Sequence, residues 1–105
     1  MSQFIEIRWT SGSLDEARTV ARHLVQEKLV ACAQIIPWIE SIFLWNEKMD
    51  TVQETKVILK TELRFYDQVR KTIQEKCSYE VPEISYVIID GVNREYEEWL
   101  KEVLS

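Results

Sequence analysis

Ala31-Cys32-Ala33-Gln34-Ile35-Ile36-Pro37-Trp38-Ile39-Glu40-Ser41-Ile42-Phe43-Leu44-Trp45 is followed by the polar turn Asn46-Glu47-Lys48-Met49-Asp50 and a second extended stretch from about Thr51 to Thr61. The two stretches read as the arms of one long hairpin. At about 3.3 Å per residue the first arm spans roughly 45 to 50 Å. A compact domain of this length has a radius of gyration near ~13 Å and a diameter of only about 33 Å. The hairpin must therefore bend or protrude, and Pro37, which cannot donate to a sheet ladder, is the natural place for the bend. Beyond Pro37 the arm is apolar on both faces, Trp38, Ile42 and Leu44 against Ile39, Phe43 and Trp45. A two-stranded protrusion cannot leave that much apolar surface in water, so a partner subunit is expected to cover it.

Outward from the hairpin, Phe4 to Trp9 alternates with Ile5, Ile7 and Trp9 on one face, the pattern of a half-buried strand. Ser13 and Glu16 then form a capping-box pair, opening a helix with the apolar stripe Leu14, Ala17, Val20, Ala21, Leu24 and Val25. After the hairpin a second helix is predicted over about Glu62 to Lys76, with Phe65, Tyr66, Val69 and Ile73 inward. A strand follows from Pro82 to Asp90, and Asn93 caps a last helix carrying Tyr96, Trp99, Leu100 and Val103. The order is βαββαβ plus a helix. With right-handed crossovers it gives an α+β, ferredoxin-like sandwich: a four-stranded antiparallel sheet, two helices on one face, a long hairpin and an extra C-terminal helix.

The chain has 105 residues, which fits one domain over residues 1–105 with a single core. No apolar run approaches the roughly 18 residues needed to cross a bilayer, and Met1-Ser2-Gln3-Phe4 lacks the regions of a signal peptide, so a cytoplasmic protein with no membrane partner is expected. Cys32 and Cys77 lie far apart with no Cys-x-x-Cys spacing, which matches neither a disulfide framework nor a zinc module. A formal charge of −5, with basic residues interspersed among acids, argues against a nucleic-acid partner.

Ferredoxin-like folds host unrelated activities, so function has to be read from sites. An RNA-recognition module needs aromatics in its third strand, and Gln53 to Lys60 offers none. Thr10-Ser11-Gly12-Ser13 carries too few glycines for an anion-binding enzyme loop, and capping accounts for its hydroxyls. The one histidine, His23, falls on the helix face opposite Ala17, Val20 and Leu24 and reads as solvated surface. Tyr79-Glu80-Val81-Pro82-Glu83-Ile84 sets a tyrosine and two acids around a proline at the start of a strand, where Pro82 restricts the backbone. Glu83 is expected to find a cationic partner at a neighbouring subunit's hairpin.

Leu29 to Pro37, Ser41-Ile42-Phe43-Leu44-Trp45, Leu59-Lys60-Thr61, and Asn93-Arg94-Glu95-Tyr96 with Trp99 fall in an order that resembles the CutA family of divalent-cation tolerance proteins. The resemblance covers nearly the whole chain. It implies a subunit similar in shape to the nitrogen-regulatory PII proteins and a compact homotrimer. The family's proposed copper site rests on histidines at the end of the second helix and a cysteine near the end of the first strand. This chain has Lys76, Cys77 and Trp9 at those places, leaving one soft ligand, so copper binding is expected to be weak and to depend on Cys77.

The set Trp45, Glu54, Lys60, Tyr79, Glu83, Tyr96 and Trp99 is expected to converge where hairpin arm, fourth strand and last helix meet at a subunit boundary. Aromatics with a few charges suit a small-ligand cleft, and the same residue types build obligate interfaces. An ion pair such as Lys60 with Glu54 or Glu83 is equally what such an interface would use. The leading reading is a trimeric binding or signalling protein, not an enzyme, associated with metal tolerance and with intersubunit ligand clefts. The alternative is an enzyme acting on a small anionic substrate, with Lys60 and Tyr79 as electrophilic groups and Glu83 as general base.

Overall fold

Why the hairpin can be so long is clear from what pairs with it. The computed structural model describes residues 3–105, so Met1 and Ser2, part of the expected signal-free N-terminus, lie outside the described residues. The elements are β1 (Phe4–Ser11), α1 (Leu14–Gln26), β2 (Cys32–Trp45), β3 (Lys48–Glu62), a 3-10 turn (Leu63–Phe65), α2 (Tyr66–Lys76), β4 (Ile84–Ile88) and α3 (Arg94–Leu104). The sheet runs β2-β3-β1-β4, with every pair antiparallel. β1 pairs with β3 only from Phe4 opposite Glu62 to Ser11 opposite Thr55. From Ile39 and Glu54 outward, β2 and β3 pair only with each other among the described residues. The hairpin thus protrudes, and the subunit measures 46 × 25 × 22 Å.

It also bends where Pro37 stands. The β2–β3 register slips between Ile36 and Ile39, and Trp38 takes a left-handed φ of 60°. A proline with no amide to give and one extra residue on its strand make a bulge. The turn is tighter than the sequence suggests. Asn46 and Glu47, at φ 52° and 65°, form a two-residue turn of the twist-matched hairpin class, and Lys48 to Asp50 already belong to β3.

Ile5, Ile7 and Trp9 face the same way as Leu59 and Val57, directly opposite Ile7 and Trp9 on β3, and all are fully buried. Against this face α1 lays Ala17, Val20, Ala21 and Leu24, and α2 adds Val69 and Ile73. Ser13 Oγ accepts from the Glu16 amide at 3.1 Å, as a cap should. The reciprocal half of the box does not form, because the Glu16 carboxylate turns elsewhere. Val25 is exposed and His23 half-buried, contrary to their expected faces. Phe4 alternates with Ile5 and so faces the other side of β1, where it joins Ala31, Leu100 and Leu104 of α3 in a smaller cluster. α3 starts after Asn93, whose side chain makes no capping bond. β4 is shorter than the expected Pro82 to Asp90 because its ladder with β1 covers only Ile84 to Ile88.

Candidate functional site

Where the protruding hairpin leaves the body, its concave face meets the Tyr79–Glu83 segment and the end of β1 around a cavity of about 860 Å³. The arm contributes Ile39, Phe43 and Trp45 from β2 and Asp50, Val52, Glu54 and Lys56 from β3. These lie on one face because Ile39 is paired with Glu54 and Phe43 with Asp50, and directly opposed residues point the same way.

The Tyr79 segment is held from two sides. Glu16 Oε1 accepts from the Ser78 amide at 2.6 Å and Glu16 Oε2 from the Ser11 hydroxyl at 2.7 Å, so the first turn of α1 clamps the loop. The Tyr79 ring lies across Gly12, where an added Cβ would stand 3.0 Å from Cε1. Its hydroxyl donates to Glu54 Oε2 at 2.7 Å. That bond to Glu54, then partial burial and the charges of Glu54 and Glu16, push the phenol up to about 12.

A few ångströms along the same wall, Lys56 Nζ donates to Glu83 Oε1 at 2.7 Å and to Thr10 Oγ1 at 3.1 Å. Thr10 Oγ1 donates to Glu83 Oε1 at 2.9 Å and Ser85 Oγ to Glu83 Oε2 at 2.9 Å. Burial pushes the Glu83 carboxyl up, but the bonds from Lys56, Thr10 and Ser85 outweigh it and hold the group below the ordinary range. Glu83 therefore has its cation, but from its own chain, and the cation is Lys56.

Of the residues singled out from sequence, Trp45, Glu54, Tyr79 and Glu83 line this cavity. Lys60, Tyr96 and Trp99 form a second group. Lys60 Nζ sits 6.0 Å from the Tyr96 ring centroid and donates to Gln34 Oε1 at 3.0 Å, while the Tyr96 and Trp99 rings stack at 5.6 Å. Burial and a 3.5 Å contact with Cys32 Sγ push the Tyr96 phenol up to about 12. Lys60 thus pairs with neither Glu54 nor Glu83. Lys56, Thr10 and Phe43 were not singled out, although Lys56 shares the face of Glu54 and Lys60 by the two-residue period of a strand.

The donors at the family's proposed copper position do not fit that metal. Trp9 is fully buried and its Nε1 finds no partner among the described residues. Lys76 ends α2 on the surface. The half-buried Cys77 thiol donates to the Tyr79 carbonyl at 3.4 Å, and burial and the Glu16 charge push its pKa up, away from the thiolate that copper needs. Among the described residues no three His, Cys, Asp or Glu side chains are grouped closely enough to hold a metal ion. Nor is any helix among them long and apolar enough to cross a membrane.

Comparison with known proteins agrees with this architecture. The profile described as CutA1 divalent ion tolerance protein matches residues 5–103. The divalent-cation tolerance protein CutA of Thermococcus kodakarensis is 38% identical over 90 residues, 86% of each chain. CutA1 from Oryza sativa superposes with a TM-score of 0.94 at 32% identity, covering 98% of this chain and 94% of that one. The Archaeoglobus fulgidus protein, described as a periplasmic divalent cation tolerance protein CutA, superposes at 0.89 with 34% identity over the whole of both chains. The match along nearly all of its length, in sequence and in fold, places this chain in the CutA family of divalent-cation tolerance proteins.

Proposed function

We propose that this chain, one domain over residues 1–105, is a trimeric binding or signalling protein that takes a small ligand in the cavity between hairpin and body and catalyses no reaction. The observation that carries the ligand reading is the arrangement of the Tyr79–Glu54 and Lys56–Glu83 pairs, held on paired strands and clamped by Glu16 around an open, partly apolar cavity. The set proposed for that ligand remains Trp45, Glu54, Tyr79 and Glu83, now with Lys56. Lys60, Tyr96 and Trp99 are proposed to reach a ligand or a neighbour only across a subunit boundary.

The trimer rests on the arm's other face. Ile42, Leu44 and Met49 are 61%, 70% and 75% exposed on the side facing away from the cavity, and Trp38 is 68% exposed at the bulge. Such a patch on a two-stranded protrusion needs covering. Light scattering at micromolar concentration should give three times the chain mass, and a monomeric mass refutes the assembly. The alternative, an enzyme acting on a small anionic substrate, needs Lys60 brought to Tyr79 across a subunit boundary, because within one subunit the two lie in different groups. A cytoplasmic location is the reading that suits two free thiols. Thermal-shift screening against metabolites, followed by a turnover assay on each hit, tests the function: a hit that is bound unchanged supports it, and a hit that is converted overturns it.

A further inference from the structure

The charge of the cavity wall identifies the kind of ligand it suits. Asp50, Glu54, Glu80 and Glu83 line it against one cation, Lys56. Lys56 is already committed to Glu83, 2.7 Å away, and to Thr10. Among the described residues no Lys or Arg comes within 4.0 Å of Asp50, Glu54 or Glu80. With Glu83 and Lys56 offsetting each other, three carboxylates remain uncompensated. They stand beside apolar groups: Phe43 is the cross-strand neighbour of Asp50 and Ile39 that of Glu54, so side chains of the two kinds run along one face about 5 Å apart. Trp45 continues that face at the hairpin tip and is 66% exposed.

An anion entering here meets like charge and no free donor cation. A bare metal ion meets no convergent ligand set, in a space many times its size. An organic cation satisfies both walls, since its charge lies near the carboxylates and its body lies on aromatic faces that attract positive charge. Resting on the reading of this cavity as a ligand site, we propose that it binds a small organic cation, an ammonium or guanidinium group on an apolar or aromatic body. Glu54 is the principal carboxylate and Phe43 and Trp45 are the apolar wall.

Three probes of one shape test this on the full chain at neutral pH: benzylamine, which is cationic, benzyl alcohol, which is neutral, and benzoate, which is anionic. Each is titrated while the indole signal of Trp45 is followed by NMR, assigned with Trp45→Leu. Benzylamine should bind at least about fivefold more tightly than benzyl alcohol, as expected for a cation gaining carboxylate and aromatic neighbours, with benzoate weakest. The preference should shrink in Glu54→Gln and at high salt, where exposed charges are screened. If benzyl alcohol or benzoate binds as tightly as benzylamine, the cavity is a ligand site but the cationic class is wrong. If none of the three moves the Trp45 signal, and Trp45→Leu instead lowers the assembly state, the cavity is filled by a neighbouring copy and both readings fall.

Discussion

Gly12→Ala probes whether the tyrosine of the cavity is held in place by the backbone it crosses. The new methyl would stand 3.0 Å from Tyr79 Cε1 and 3.1 Å from both Cζ and the hydroxyl oxygen. Carbon contacts are ordinarily about 3.5 to 4.0 Å, so the ring must retreat by roughly 0.5 Å or more. Tyr79 is half-buried and can swing, which limits the cost to what the swing gives up, the 2.7 Å bond to Glu54. A hydrogen bond to a charged acceptor contributes about 1.5 kcal/mol at the lower end of its range, which suits a half-exposed pair. Against this, Gly12 does not use positive φ, so alanine there should gain about 0.5 kcal/mol from a stiffer unfolded chain. Gly12→Ala should therefore destabilise the wild type by about 1 kcal/mol and stabilise a Tyr79→Ala protein by about 0.5 kcal/mol, a coupling near ~1.5 kcal/mol. Equilibrium urea unfolding of the four proteins of this cycle, at one protein concentration because assembly contributes to stability, measures it. A coupling below about 0.5 kcal/mol is ordinary additivity and would refute the claim that Gly12 and Glu54 together fix the ring.

Glu83 ties stability to acid pH. Its folded pKa lies below the ordinary glutamate value of 4.5, so its contribution is fully present above that value and is lost as pH falls through the depressed one; Glu83→Gln or Lys56→Met should flatten the acid limb of the stability curve, and an unchanged limb refutes the pairing. Any Cu(I) binding should be weak and disappear in Cys77→Ser by calorimetry; undiminished affinity in that variant would show that the thiol is not the ligand. Lys28 follows Glu27, the C-cap of α1, at φ 57°, with the Leu29 amide bonded to the Leu24 carbonyl, a position that glycine fits without strain. Lys28→Gly should raise stability by about 1 kcal/mol, measured by denaturant unfolding, because the left-handed penalty of a side chain is removed.

The strands were legible because each carries a period that only one face can satisfy: Ile5, Ile7 and Trp9 cannot all be buried unless Phe4 and Glu6 turn the other way. The hairpin was legible from length alone, since its arms exceed the diameter of the domain that carries them. Its turn was not. Glu47 adopts a left-handed conformation that its residue type disfavours, so the polar run Asn46 to Asp50 reads as a loop although its last three residues are paired. The Glu16 clamp was hidden for a different reason. A Ser-x-x-Glu spacing fixes the local bond from the Glu16 amide but does not determine which distant amide its carboxylate will find, and Ser78 lies 62 residues away.

The exchange of Lys60 for Lys56 has a deeper cause. Glu54, Lys56, Ile58 and Lys60 share one face of β3, and β1 pairs with it so that Thr10 opposes Lys56 and Glu6 opposes Lys60. Sliding β3 by four residues would bring Lys60 opposite Thr10 and next to Glu83, and every side chain would keep its face. A one-residue slip is forbidden by burial, because it turns the apolar set to water. A four-residue slip, like any even one, leaves alternation intact, so the hydrophobic pattern cannot choose between the two lysines. What decides is non-local. Thr61 is fully buried and donates to the Leu29 carbonyl at 2.7 Å, Ala31 donates to the Lys60 carbonyl at 2.8 Å, and Leu63 donates to the Gln3 carbonyl at 2.8 Å. These bonds pin the end of β3 to the chain that leaves α1 and to the start of β1. Loss of the Thr61 or the Ala31 bond leaves a polar group of a buried residue unpaired, which costs about 1 to 3 kcal/mol each. The register that they fix carries Lys60 about 13 Å along the strand from Lys56, at 3.3 Å per residue, to Gln34 and Tyr96. It leaves the cavity one cation, already paired, among four acids.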